Sequence, residues 1–263
     1  MPAIPRIKFS HHFQGTIWNT LALPKSEILI VEVRDDQNFQ VQFSALNFRD
    51  SKFLWEGIKL KERWWIGLTA ANENTVLFHT YVNQGNPDHK NLIAYDIFRR
   101  NVRWEIEEFS FFDWDDTEIW GYRTQNELTQ ATIDIERGTL LEKAWTAKRS
   151  EVSVDSNRPV QYVEGMPHFE TVKMFIQQKT TYQPIRGAEY LEWKDWIMVS
   201  LYTEEESSLA NYLLVFSREG EVLLEVKLGE KLTALGTDTF FMLSGCLFLV
   251  KNKSELVAYT FYD

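Results

Sequence analysis

Apolar positions in this chain fall in short runs cut by turn-forming residues, and most of the runs alternate or are apolar throughout rather than following a helical period. Residues 27–34 are β-branched and apolar on both faces, as in a strand sandwiched between neighbouring sheets. The polar turn at 35–38 leads into Phe39-Gln40-Val41-Gln42-Phe43, a clear alternation that runs into Ser44-Ala45-Leu46-Asn47-Phe48. After Arg49-Asp50-Ser51 a further run begins at Lys52 and reaches Trp55. Three strands joined by hairpin-length turns are predicted. The same arrangement follows again in residues 64–68, 75–79 and 92–105, with turns at 72–74 and 99–101.

The copies agree in register. Ala45 to Ala94 and Trp55 to Trp104 are both 49 residues, and Trp18 to Leu29 and Trp65 to Val76 are both 11. A third copy occupies residues 118–143, a fourth 190–225, and a fifth begins at Thr239 and ends one strand short near Phe261. A period of 40–50 residues with about four short strands in each copy is the signature of a β-propeller, whose closure removes exposed sheet edges. The expected fold is therefore all-β. It is a single propeller domain over 1–263 of five four-stranded blades, or six as the alternative. Residues 6–13 are expected to supply the strand missing from the last blade. Residues 150–187 do not follow the repeat. There 150–159 reads as a polar loop, while Phe169, Val172 and Ile176 have helical spacing and predict a short helix over 167–179 that caps or plugs the channel.

Composition narrows the function classes. The 28 basic and 38 acidic residues give a formal charge of -10, which repels phosphate backbones, so nucleic acid is not an expected partner. No apolar run approaches the ~20 residues that span a bilayer, and the first ten residues lack the apolar stretch of a secretory signal. The one cysteine, Cys246, lies in an apolar run, reads as a small core residue and excludes an intrachain disulfide framework. A cytoplasmic protein without membrane association is expected.

The stretch Ala94-Tyr95-Asp96 followed by Trp104, echoed by Ala45-Leu46-Asn47 with Trp55 and by Ile133-Asp134-Ile135 with Gly138, resembles the repeat of quinoprotein-dehydrogenase-like and WD40-like propellers. That resemblance implies that the Asp and a turn glycine fix a hairpin while the Trp packs between blades. The sequence departs from it at Arg100 and Asn101, where a glycine is expected, at Ser217 in place of the Asp, and at Leu141 and Leu224 in place of Trp. The chain is too short for the eight blades of the quinone-using enzymes and lacks their paired cysteines, so no cofactor residues carry over. The whole chain also resembles uncharacterised bacterial propeller-like proteins, which implies a fold and no activity.

No catalytic, cofactor or metal set emerges. The acidic cluster at 113–118 lacks the alternate ligands and mid-loop glycine of a Ca²⁺ loop, and adjacent His11 and His12 point to opposite faces of a strand. His79 sits in a strand and reads as a hydrogen-bonded core residue. There is no nucleophile elbow and no glycine-rich phosphate loop. Trp18, Trp55, Trp65 and Trp104, at repeat-equivalent positions, are expected to pack between blades, whereas Trp120, Trp193 and Trp196 are less constrained and are ligand candidates. The segment outside the repeat supplies the remaining candidates, Tyr162, Glu164, His168 and Arg186, on loops of a rigid scaffold. The expected function is a protein-interaction or ligand-binding module, its partner an unidentified protein or small ligand and its oligomeric state open. A hydrolase or lyase with a polar channel site is the alternative.

Overall fold

In the computed structural model, residues 4–83, 85–115, 117–123, 128–143, 145 and 156–261 are described. The chain begins with β1 (Arg6–His12), which pairs with the last strand of the protein and is taken up below with its sheet. The chain divides into two compact units, one of residues 17–154 and one of residues 1–16 with 155–263.

The first of these units holds three antiparallel four-stranded sheets, each in sequence order. They are β2 (Thr16–Leu23), β3 (Ile28–Asp35), β4 (Gln40–Asn47) and β5 (Lys52–Ile58); β6 (Ile66–Ala71), β7 (Thr75–Asn83), β8 (Asn86–Asp96) and β9 (Asn101–Ile106); and β10 (Phe109–Trp114), β11 (Glu118–Arg123), β12 (Thr129–Asp134) and β13 (Leu140–Leu141). Residues 28–31 of β3 are buried on both faces, as their uninterrupted apolar run requires. Ile28, Ile30, Phe43, Trp55, Val76, Phe78 and Tyr95 form one core between the first two sheets, and Leu77, Ala94, Phe109, Ile119 and Ile133 another between the second and third.

The hairpin that ends each sheet is built the same way. Asn47 Oδ1 accepts the amides of Arg49 and Asp50, Asp96 Oδ1 those of Phe98 and Arg99, and Asp134 Oδ1 those of Glu136 and Arg137. Four residues past each of these, the backbone turns left-handed, at Ser51 (φ 60°), Arg100 (φ 60°) and Gly138 (φ 66°). Thus Arg100 takes the conformation for which glycine was expected. Two residues before each acceptor, Ala45 lies opposite Trp55 and Ala94 opposite Trp104. Each indole then reaches the following sheet, Trp55 Nε1 donating to Ile97 O and Trp104 Nε1 to Ile135 O, both at 2.9 Å. The expected packing between sheets therefore holds for Trp55 and Trp104. It fails for Trp18 and Trp65, which are 66% and 40% exposed. They stand at strand starts outside the two cores, where Arg34 covers one face of Trp18.

The other unit holds two five-stranded sheets. The short β14 (Ser156–Asn157) pairs with β20 (Phe240–Leu243), which continues through β21 (Cys246–Lys251) and β22 (Glu255–Thr260) to β1. The register Arg6↔Thr260 to His12↔Glu255 places the first strand of the chain on the edge of its last, as the missing fifth-copy strand required. β15 (Val160–Val163), β16 (Gly187–Trp193), β17 (Trp196–Glu205), β18 (Ser208–Ser217) and β19 (Val222–Leu232) form the second sheet. Here Ser217 Oγ accepts the amides of Glu219 and Glu221, a hydroxyl in the place of the carboxylate.

The helix α1 (Pro167–Lys179) has the expected bounds, and Phe169, Val172 and Ile176 are its buried residues. Proline at its first turn has no amide to leave unpaired. Residues 150–187, expected to stand outside the repeat with a polar loop at 150–159, contribute strands at two places. Asn157 in β14 and residues 160–163 in β15 add strands to two existing sheets, so these two are five-stranded instead of four, and among the described residues the segment makes no sixth sheet of its own. Residues 150–155 of the expected loop lie outside the described residues. Among the described residues no helix is long and apolar enough to cross a membrane.

Candidate functional site

A cleft of about 300 Å³ opens between α1 and the sheet it covers, lined by Tyr162, His168, Thr171, Val172, Phe175, Tyr190 and Ile197. Strand alternation decides its floor. Tyr162 lies opposite Ala188 and Val160 opposite Tyr190, while Tyr190 lies opposite Val199 and Ile197 opposite Glu192, so Tyr162, Tyr190, Ile197 and Glu192 share one face. The helix supplies the wall. Its buried stripe packs with Ala188, Val199, Leu201, Leu214 and Phe216. One position round, His168, Thr171 and Phe175 are left bordering the space that the stripe does not fill.

The polar groups of the cleft have defined partners. The Tyr190 hydroxyl donates to the exposed Glu192 carboxylate. Burial first, then that bond and the charges of Glu192 and Tyr162, hold the Tyr190 phenol above the ordinary tyrosine range, so it stays a neutral donor. Thr171 Oγ1 donates to Pro167 O at 3.3 Å, and the Tyr162 and His168 rings lie 5.3 Å apart, tilted by 39°.

Of the residues singled out by sequence, Tyr162 and His168 are thus brought together in the cleft. Glu164 and Arg186 are brought together elsewhere, at the open end of the β15–β16 pair. There Glu164 N donates to Arg186 O (2.9 Å) and Arg186 N to Glu164 Oε2 (3.3 Å), with Arg186 in the left-handed region at φ 61°. Trp193 and Trp196 flank the β16–β17 turn with ring centroids 5.4 Å apart, and Trp196 packs 4.5 Å from Phe261. At 6% exposure Trp196 belongs to the core, so its place as a ligand candidate is corrected. Trp120 is half-buried in β11, opposite Thr132. Sequence reasoning missed Tyr190, Thr171 and Phe175. The alternation of Tyr190 with Glu192 was the available signal, but nothing local says that a helix lies over that face.

Two buried carboxylates also escaped the sequence reading. Glu32 accepts from Leu68 N (2.8 Å) and Arg34 Nε (2.8 Å), and burial outweighs these bonds to raise its pKa. The Arg34 guanidinium lies 5.1 Å from the Trp18 ring centroid and 5.4 Å from that of Trp64, and it donates to Ile66 O (2.7 Å). His79, as expected, is hydrogen-bonded, its Nδ1 being 2.8 Å from Thr69 Oγ1. Burial, with Lys90 and Arg34 nearby, lowers its pKa to about 4. Glu189 is likewise raised by burial and accepts from both the amide and hydroxyl of Thr239. Both carboxylates join one sheet to the next and are consumed by protein donors. In the acidic stretch at 113–118, Asp115 Oδ1 caps its own turn by accepting from the amides of Thr117 and Glu118, and Glu118 pairs with Lys143. Asp116 lies outside the described residues. Among the described residues no three His, Cys, Asp or Glu side chains converge as metal ligands.

Residues 22–104 match the family model described as "Domain of unknown function (DUF4905)", a span that runs from the end of β2 through most of β9. No curated protein matches the chain. Among solved structures, the chain is similar to BamB from Moraxella catarrhalis at 8% identity and TM-score 0.34, covering 98% of this chain and 100% of that one. It is similar to the N-terminal domain of Nup159 at 10% identity and TM-score 0.35, covering 94% and 76%. For the β-propeller domain of the Trilobed protease from Pyrococcus furiosus the identity is 10%, the TM-score 0.33 and the coverage 93% and 64%.

Proposed function

We propose that this protein is a ligand- or protein-binding module built as a five-bladed β-propeller with quinoprotein-like hairpins, and that it binds through the cleft beneath α1. The observation that carries the binding site is the cleft itself: about 300 Å³, with three aromatic rings and an imidazole among its seven lining residues. That is the size and chemistry of a small-ligand pocket, largely apolar with a few polar groups to fix orientation. The propeller reading is supported by five antiparallel sheets and by a first strand that completes the last of them. The tryptophan donors that tie each sheet of residues 17–154 to the next support it too. A cytoplasmic setting is part of the proposal and is supported by Cys246, a buried free thiol.

The test is a saturation-transfer NMR screen of small ring- and amine-bearing fragments against the full chain, repeated on Thr171→Trp. Thr171 is exposed and borders the cleft, so an indole there fills the space without touching the core. Hits on the wild type that compete with one another and vanish in T171W are expected. A wild type without hits, or hits that persist in T171W, overturns the cleft as the site.

A further inference from the structure

The cleft's electrostatics narrow what it takes, and the following rests on the binding reading above. We infer that its ligand is an alkylated ammonium, a cationic head group carrying methyls in place of N–H donors. Tyr162, Phe175 and Tyr190 line the space, and among the described residues no Lys or Arg does. Aromatic faces carry partial negative charge and attract cations most strongly where water is displaced. The Tyr190 hydroxyl donates to the Glu192 carboxylate, which pushes electron density into that ring and puts an acidic side chain on the same sheet face as the lining Tyr190 and Ile197. The whole chain, at -10, biases the approach of cations further.

Methylation follows from what the cleft lacks. A primary ammonium entering it needs acceptors for three N–H groups to offset lost hydration. The Tyr190 and Thr171 hydroxyls donate their protons in hydrogen bonds to Glu192 and the helix backbone, so what they offer an ammonium is uncharged oxygen lone pairs, while Val172, Phe175 and Ile197 offer it no acceptor. Methyl groups, by contrast, gain by lying against Val172, Phe175 and Ile197. The same head group occurs on free choline-like molecules and on methylated lysine side chains, and the two sources differ only in the tether.

The test is a set of parallel NMR titrations of the full chain with choline, with its neutral isostere 3,3-dimethylbutan-1-ol, and with Nα-acetyl-lysine amide bearing either a trimethylated or a free ε-amine. Choline or trimethyllysine is expected to bind about tenfold tighter than the neutral isostere and than the free amine, the difference being the cation–π and carboxylate attraction. The stronger of the two cations identifies the source. In Glu192→Gln, whose side chain is exposed, the preference for the cation is expected to fall severalfold while the isostere's affinity holds. Equal binding of choline and the isostere, or a free amine that equals the trimethylated one, overturns the ammonium inference and leaves the cleft as a general apolar site. If no probe binds while the fragment screen still gives hits lost in T171W, the inference falls and the cleft reading stands. A screen without such hits fells both.

Discussion

Asp96 and Asp134 make the same turn at different stakes. Both accept two backbone amides, but Asp96 is buried and also receives Arg103 Nε at 3.0 Å and Nη2 at 2.7 Å. Burial alone would raise the Asp96 carboxyl; the Arg99 amide, Arg103 and the Phe98 amide together outweigh it and hold the pKa below the usual aspartate range. Its stabilisation is therefore complete above an unfolded value of about 3.9 and is lost as pH falls through the lower folded value. Asp96→Ala is expected to cost about 2–3 kcal/mol by urea unfolding at pH 7, because Arg103 loses its partner as the turn loses its acceptor. Asp96→Asn keeps the turn acceptor, costs less, and flattens the acid limb of the stability profile; an unchanged profile refutes the assignment. At the left-handed position four residues on, Ser51→Gly is expected to gain about 0.5–1 kcal/mol by removing Cβ strain. Gly138→Ala is expected to lose more than that, since its Cβ would sit 2.5 Å from Trp104 Cγ. At this scale the sequence was informative: Asn47, Asp96 and Asp134 announce Asx turns, and only the fact that Arg100 and Ser51 pay the left-handed cost without glycine needed coordinates.

Between strands, volume is conserved across the repeat. Where Trp55 and Trp104 stand, Ala45 and Ala94 lie opposite; where leucine replaces tryptophan, the opposing residue grows, to Thr132 opposite Leu141 and Val215 opposite Leu224. Cross-strand pairs of this kind are selected together because the space between sheets is fixed. Trp55→Leu alone is expected to cost about 3 kcal/mol from the cavity and the lost bond to the Ile97 carbonyl. Adding Ala45→Val should restore about 1 kcal/mol of that, read as a non-additive double-mutant cycle; strict additivity would refute the pairing. The spacings of the sequence placed these partners correctly, but it gave Trp18 and Trp65 the same role. Their departure was not legible, because sharing a repeat position does not state which face a neighbouring sheet will cover. The cleft divides in the same way. Tyr162 and His168 were legible as residues outside the repeat, whereas Tyr190 joined them only when α1 settled on its strand face.

At the scale of the molecule, β1 protects an edge. Residues 256–260 of β22 are largely buried and apolar, and without β1 their outer backbone groups would be unpaired and free to template another chain. Deleting residues 1–13 is expected to lower the melting temperature and to produce oligomers by light scattering, and a monomer of unchanged stability would refute this role. The sequence by itself determined most of the strands and their turns, the helix 167–179 and the pairing of the first strand with the last, while β10, β14 and β15 lay outside the copies it showed. Local periodicity, turn chemistry and a missing repeat member are all one-dimensional signals. Only the tertiary structure decided that residues 156–163 extend two existing sheets, that Glu32 and Glu189 are clamps from one sheet to the next, that Trp196 is core, and that an aromatic cleft opens beneath α1. Each of these depends on which distant surface comes to rest against a side chain, and a linear pattern does not encode that.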